Sequence, residues 1–250
     1  MSHAGPLDGR VALVTGGTGV IGRRVCGQLA ADGARVIAQS RSGGDVADAL
    51  VADGHRSVLA DLSTLDGLEQ LALAVAAEGG VDVLVNTVHP ASGTAVVADL
   101  EPELLRAHLE GVVLHAALCR MVLPTMRDRG WGRIVYVSGA LMTRPAPSMG
   151  AYGAAKAAAS AITKTLALEE GRAGVTANIV APGRVVDPLE PEPELDPEWV
   201  ALAAALTART AIGRFATPDE VATAVRSLVL PSASGITGQV VWVTGGEPIG

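Results

Sequence analysis

Seven short runs rich in β-branched residues, each separated from the next by a longer amphipathic or alanine-rich stretch, restrict this chain to very few folds. The runs are 10–15 (RVALVT), 34–40 (ARVIAQS), 56–61 (RSVLAD), 81–87 (VDVLVNT), 133–138 (RIVYVS), 176–182 (TANIVAP) and 239–246 (QVVWVTGG). They are nearly continuous in apolar character, as strands covered on both faces are. Strands that alternate with crossover helices build a parallel, doubly wound α/β sheet. At 250 residues and 49% hydrophobic content, a single domain spanning 1–250 can bury the core that such a sheet needs. The one shift in composition is the proline- and acid-rich stretch 187–198 (DPLEPEPELDPE). Proline removes backbone donors, so this stretch is expected to be a loop, part of a lid or substrate segment over about 184–212.

The first run leads into VALVTGGTGVIGRRV, in which Gly17-x-Gly19-x-x-Gly22 follows a strand and opens a helix. One glycine permits the turn, one lets a diphosphate approach the backbone, and one allows close helix–strand contact. The helix N-terminus adds free N–H groups and a positive dipole end. The expectation is a Rossmann-like fold in which Gly16, Thr18, Gly19, Ile21 and Gly22 hold a dinucleotide. The second strand ends in Ser40 and Arg41 instead of the carboxylate that would accept a ribose hydroxyl. A guanidinium suits a 2′-phosphate, so NADP(H) is expected over NAD(H).

Bulk charge narrows the partners. The net charge is −7, the pI about 5.2, and aromatics make up 2% of residues. With no basic stripe and few stacking platforms, nucleic acid is not expected. Cys26 and Cys119 lack metal-type spacing and are expected to be buried thiols, with no metal site. The N-terminus has no signal-like apolar core, and no apolar run approaches the ~18 residues of a membrane span. A cytoplasmic protein is the expectation.

Further along, AYGAAKAA places Tyr152 four residues before Lys156, on one face of a helix. Together with the glycine turn, GRIVYVS, NIVAPG, GRFATPDEVA and ITGQVVWVTGG, this resembles the short-chain dehydrogenase/reductase family over essentially residues 7–246. The closest general likeness is to 3-oxoacyl-carrier-protein reductases and related ketoreductases. The resemblance implies that Tyr152 protonates a substrate carbonyl while a nicotinamide delivers hydride. It implies that Lys156 holds the nicotinamide ribose and lowers the phenol pKa. Asp61 resembles the acid that meets the adenine amino group, with Leu62 following. A helix cap is the other reading of Asp61. Asn86, Pro182, Gly183 and Val185 fall on further cofactor-binding positions. Dimers or tetramers through helices around 101–127 and 150–172 are also implied, with hetero-oligomers of related chains as a variant.

Four departures qualify the resemblance. The usual Asn-Asn-Ala-Gly reads NTVH at 86–89, with Val88 and His89 in place of small residues. His108 aligns with the asparagine of the family's proton relay, a role open to imidazole alongside a purely structural one. Counting back thirteen residues from Tyr152 to the carbonyl-orienting serine gives Gly139, with Ser138 one residue off. A one-residue shift turns a strand side chain to the other face, so Ser138 serves only if the strand end bulges. Finally, Val20 interrupts the family's shorter glycine spacing, and Asp187 replaces a threonine where its charge would oppose a diphosphate. The function expected is NADP(H)-dependent reduction of a ketone or β-ketoacyl thioester to an alcohol, with Tyr152, Lys156, Ser138 and His108 as catalytic candidates. A degenerate subunit beside an active paralogue, or a non-redox dehydration or cyclisation enzyme, are the alternatives. The acids of the 187–198 stretch argue against a strongly anionic substrate at that edge.

Overall fold

Val11 and Leu13 of β1 (Val11–Thr15) pack into one hydrophobic cluster, while Ala12 and Val14, one residue out of phase, pack into another. All five residues of the strand are buried, as a strand between two helix layers must be. The computed structural model describes residues 5–189 and 197–247.

The chain continues through α1 (Val20–Ala31), β2 (Arg35–Ser40), α2 (Asp45–Ala52), β3 (Arg56–Leu59), α3 (Leu65–Ala77) and β4 (Val83–Asn86). It then passes through α4 (Pro102–Asp128), β5 (Gly132–Val137), α5 (Gly150–Glu170), β6 (Val175–Pro182), α6 (Pro197–Thr207), α7 (Pro218–Val229) and β7 (Val240–Val243). The seven expected runs are the seven strands. They form one parallel sheet in the order β3-β2-β1-β4-β5-β6-β7, the doubly wound Rossmann-like architecture. Val25 and Leu29 of α1 and Val221 and Val225 of α7 cover one face. Leu71 of α3, Leu118 and Val122 of α4 and Leu166 of α5 cover the other. The strand order reverses between β1 and β4, and the crevice at the carboxyl ends there is where such sheets bind ligands.

Three local results differ from or refine the sequence reading. By length and composition, α4 qualifies as a membrane-spanning helix. Its face carrying Leu114, Leu118, Val122 and Met126 is nevertheless buried against the sheet. Pro197 and Glu198, expected in a loop, open α6 instead, since a proline in the first turn forfeits no helical hydrogen bond. Residues 190–196, the middle of the expected lid, lie outside the described residues. Cys26 and Cys119 are buried and unpaired, and desolvation pushes both thiols up to about 12.

Candidate active site

The turn between β1 and α1 has glycines where side chains cannot go. Gly16 has φ +69°, and a Cβ there would stand 2.6 Å from Thr87 Oγ1. A Cβ on Gly22 would stand 2.0 Å from the Gly16 carbonyl oxygen, so this glycine sets the helix–turn contact. Gly19 caps α1 without any side-chain acceptor, leaving the first N–H groups of the helix open. A cavity of about 470 Å³ lies against them, walled in part by Gly16, Thr18, Gly19, Arg41, Asp61 and Leu62. Ile21 and Gly22 belong to the first turn of α1 behind this wall.

Sequence reasoning missed Gln39. This buried side chain donates to the Ala60 carbonyl at 2.7 Å and accepts from the Gly16 N–H at 3.1 Å, tying the glycine turn to the end of β3. Its only signal was a polar residue at an inward strand position. Ser40 is buried and donates to the Ser42 carbonyl at 2.9 Å, and Arg41 is exposed on the cavity wall. Asp61 accepts from the hydroxyl (2.7 Å) and N–H (3.0 Å) of Ser63, which holds its carboxyl below the usual range. The N-cap of α3 is Thr64, not Asp61. Leu62 is largely turned into the core.

Asn86 does not present its side chain to this cavity. It is fully buried, accepts from Thr15 Oγ1 at 2.8 Å and from the Val88 N–H at 3.1 Å, and reaches His115 Nδ1 at 3.1 Å. The partner of His115 Nε2 is Thr163 Oγ1 at 2.9 Å, whose own proton goes to the Ala159 carbonyl. His115 therefore donates from Nε2 and accepts at Nδ1. Burial pushes its pKa down to about 4, so it stays neutral. Asn86 thus fixes strand ends and α4 from beneath the site, a correction to the sequence expectation. His115 lies one heptad after His108 on the inward face of α4, a period that could have revealed it.

Tyr152 and Lys156 share one face of α5, with Lys156 Nζ 5.6 Å from the Tyr152 ring centre. Nζ donates to the Val137 carbonyl at 3.0 Å. Desolvation pushes the buried ammonium down to about 8. Burial also pushes the Tyr152 phenol up, so desolvation outweighs the lowering that sequence reasoning assigned to Lys156.

The register question resolves against Ser138. Its hydroxyl is buried and meets Ser160 Oγ at 3.0 Å, Met142 Sδ at 3.3 Å and the Lys156 carbonyl at 3.4 Å. A Cβ at Gly139 would stand 3.2 Å from Tyr152 Oη. No bulge intervenes: β5 runs regularly to Val137 and the next two side-chain positions point to opposite sides. The position beside the phenol is therefore residue 139, which has no side chain.

An imidazole meets the phenol ring instead. The His89 ring packs edge-on against Tyr152 with centres 4.9 Å apart, whereas His108 is 6.3 Å away. His108 Nε2 faces the Gly93 carbonyl at 3.1 Å, and its Nδ1 faces His89 Nε2 at 2.8 Å. A carbonyl only accepts, so His108 donates from Nε2 and accepts from the His89 Nε2–H. Burial first, then Lys156 and His108, push His89 down to about 4. Its ring fits a notch in α4, where a Cβ at Gly111 would stand 3.3 Å from His89 Nδ1.

Tyr152 and Gly139 also line a second cavity of about 760 Å³, together with Pro182 and Gly183. Val185 instead packs on the core and bridges to Ala216. Asp187 accepts from the Leu189 N–H at 3.0 Å and pairs with Arg23 (2.8 Å) and Arg24 (3.1 Å). Two guanidiniums thus offset the charge that the sequence reading set against a diphosphate.

The chain has relatives along almost its whole length. A family model described as Enoyl-(Acyl carrier protein) reductase matches residues 17–247. Dehydrogenase/reductase SDR family member 4 of Bos taurus is 35% identical, over 99% of this chain and 90% of its own length. The 3-oxoacyl-(acyl-carrier-protein) reductase FabG of Vibrio cholerae is 32% identical, over 96% and 98%. The solved structure of a Serratia marcescens short-chain dehydrogenase/reductase variant superposes with a TM-score of 0.84 at 29% identity, covering 96% of this chain and 98% of that one. With a glycine turn opening α1, a tyrosine and a lysine one turn apart on α5, and likeness along almost its whole length, the chain belongs to the short-chain dehydrogenase/reductase family.

Proposed function

We propose that the protein is an NADP(H)-dependent oxidoreductase that reduces a ketone or β-ketoacyl group to an alcohol. The observation that carries this reading is the placement of Tyr152: its phenol borders the 760 Å³ cavity, and its ring touches His89, which walls the 470 Å³ cavity over the glycine turn. One side chain thus stands between a space for a dinucleotide and a space for a substrate. The glycine turn fits the cofactor, because a Cβ at Gly16 would strike Thr87 Oγ1, one at Gly22 would push the helix off the turn, and the helix end has no cap of its own.

In this reading the open N–H groups of α1 hold the diphosphate and Arg41 the 2′-phosphate, with no carboxylate at Ser40 to repel it. Lys156 holds the nicotinamide ribose. A nicotinamide held there would supply the hydride for reduction of the carbonyl carbon. Tyr152 Oη–H donates its proton to the carbonyl oxygen, forming the alcohol and leaving a phenolate. The raised phenol pKa keeps that proton in place at neutral pH. Gly139 supplies no second donor, an omission worth about 10²–10³ in rate where such donors have been removed. Leu109, Val113 and Leu168, exposed on α4 and α5, support self-association through these helices.

Gly139 also favours one second reading, a cofactor-binding subunit that turns nothing over. NADPH oxidation with β-ketoacyl thioesters and cyclic ketones separates the two. The reductase reading expects turnover with NADPH above NADH, a preference lost in Arg41→Ala, and near-complete loss in Tyr152→Phe. Full turnover by Tyr152→Phe would defeat it.

A further inference from the structure

Two arginines from different segments line the same 760 Å³ cavity as Tyr152. Arg144 comes from the connection between β5 and α5, and Arg209 from the turn after α6. Behind them lies Glu247, just past β7, buried and only 7% exposed. It pairs with Arg144, and its Oε1 lies 3.6 Å from Arg209 Nε. Most other described wall residues are apolar, among them Leu141, Pro145, Met149, Leu202 and Leu206.

We propose that the substrate is an oxo compound bearing an anionic oxyacid group, carboxylate or phosphate, which Arg144 and Arg209 bind while the carbonyl meets Tyr152. The proposal rests on the reductase reading for its carbonyl half. A guanidinium presents five N–H donors in a plane, and one carboxylate shared by two guanidiniums engages only part of that set. Glu247 therefore acts as an anchor that holds two cations at the cavity wall and leaves the pair net positive. Planar guanidinium forks match carboxylate and phosphate. This cluster stands out in a chain of net charge −7. The apolar wall suits the aliphatic segment between the two polar ends of such a ligand. Arg184, also on the wall, packs 5.6 Å from the Phe215 ring.

Sequence reasoning pointed the other way, from the acids of 187–198. Of these, Asp187 is engaged with Arg23 and Arg24, away from this cavity's lining.

The test is calorimetric titration of the full chain with octanoate, octyl phosphate and octan-1-ol. At least one anion is expected to bind about tenfold or more tighter than the alcohol, and the better anion identifies the oxyacid. That advantage shrinks severalfold in Arg144→Gln and in the more exposed Arg209→Gln, whose fold is not at risk. Equal binding of the three probes, or an anion advantage untouched by both substitutions, overturns the proposal. A second arm compares NADPH-linked reduction of 3-oxooctanoate with that of its methyl ester. Equal kcat/KM for the ester overturns the proposal and leaves the reductase reading intact. Arginine-dependent anion binding with no ketone reduced keeps the anion site and overturns the reductase reading.

Discussion

His89 Nε2 lies 2.8 Å from His108 Nδ1, and the His89 ring stands edge-on to Tyr152 at 4.9 Å. His108, anchored on the Gly93 carbonyl, thereby fixes the imidazole that flanks the phenol. His108, a candidate for either a proton relay or a structural role, contacts His89 at 2.8 Å, while its ring centre stays 6.3 Å from that of Tyr152.

The first prediction concerns that pair. His108→Ala removes the acceptor of His89 Nε2–H and frees the ring, so kcat is expected to fall about tenfold, in the range of losing one positioning hydrogen bond. His108→Asn, whose amide oxygen still accepts, recovers part of the loss. Because His89 stays neutral down to about pH 4, it contributes no limb to the pH–rate profile between about pH 5 and 7. Steady-state kinetics of the wild type, both His108 variants and His89→Ala across that range checks both statements, and a wild-type limb abolished by His89→Ala would refute the second.

A second prediction follows from the register at the end of β5. Ser138→Ala removes a hydroxyl engaged with Ser160 and Met142, so it costs about 1 kcal/mol of stability and leaves kcat within about twofold. Gly139→Ser puts a hydroxyl beside Tyr152 Oη. Its Cβ site, 3.2 Å from that oxygen, requires the phenol to shift by a few tenths of an ångström. A second donor to the developing oxyanion is expected to raise kcat/KM about 10- to 100-fold. The opposite ranking of the two variants would restore Ser138 to the site.

The sheet was legible because its signals are local and redundant. The inner strands β1, β2, β4, β5 and β6 are almost wholly buried, and the partly exposed edge strands β3 and β7 still carry apolar residues, so the runs declare themselves in composition, and Gly16 to Gly22 declare the first crossover. Side-chain direction at the site was less legible. Whether residue 138 or 139 meets Tyr152 depends on the pleat at one strand end, which spacing alone leaves open by a residue. Asp187 read as a repulsive charge because its partners, Arg23 and Arg24, lie more than 160 positions away in sequence. His89 read only as a bulky intruder, since the notch at Gly111 that admits it is a property of packed helices. Gln39 and His115 were missed for a related reason: a buried polar residue in a strand or helix looks like a pattern error until its partners are known.

A third prediction separates two glycines of the same motif. A Cβ at Gly22 would lie 2.0 Å from the Gly16 carbonyl, whereas one at Gly19 would lie 3.2 Å from it. Gly22→Ala must therefore push α1 off the turn, an overpacking cost of about 1–3 kcal/mol, and is expected to abolish NADPH binding. Gly19→Ala is expected to fold with little loss, but Gly19 lines the cavity at the helix end, so an added methyl group is expected to hinder a diphosphate there and affinity falls while stability holds. Thermal melting alongside NADPH fluorescence titration distinguishes the two. Equal destabilisation by both substitutions would show that helix–turn contact is not what Gly22 provides.

The last prediction uses the burial of Lys156. Its pKa is pushed down from 10.5 to about 8 because Nζ is desolvated, with one carbonyl partner at 3.0 Å. In the unfolded chain the amine returns to its ordinary value. Between about pH 8 and 10.5 the unfolded state therefore binds more protons than the folded state, and stability rises with pH. The rise amounts to a few kcal/mol at most over the whole window, since a tenfold change in proton affinity corresponds to about 1.4 kcal/mol. The thiols of Cys26 and Cys119 work in the other direction. Burial raises them from 9.0 to about 12, so above about pH 9 the unfolded chain loses protons that the folded chain keeps. The raised phenol of Tyr152 adds to that opposition from about pH 10. The net increase in the wild type is thus confined to about pH 8 to 9, and the lysine contribution is isolated by comparison with Lys156→Met. Below about pH 8 the folded wild type must bury an ammonium, so Lys156→Met is expected to be the more stable protein at neutral pH. Urea midpoints of the two proteins are expected to converge as the pH rises above that value. Parallel midpoints at every pH would mean that Lys156 keeps its solvation in the folded protein, and the low pKa assigned to it would fall.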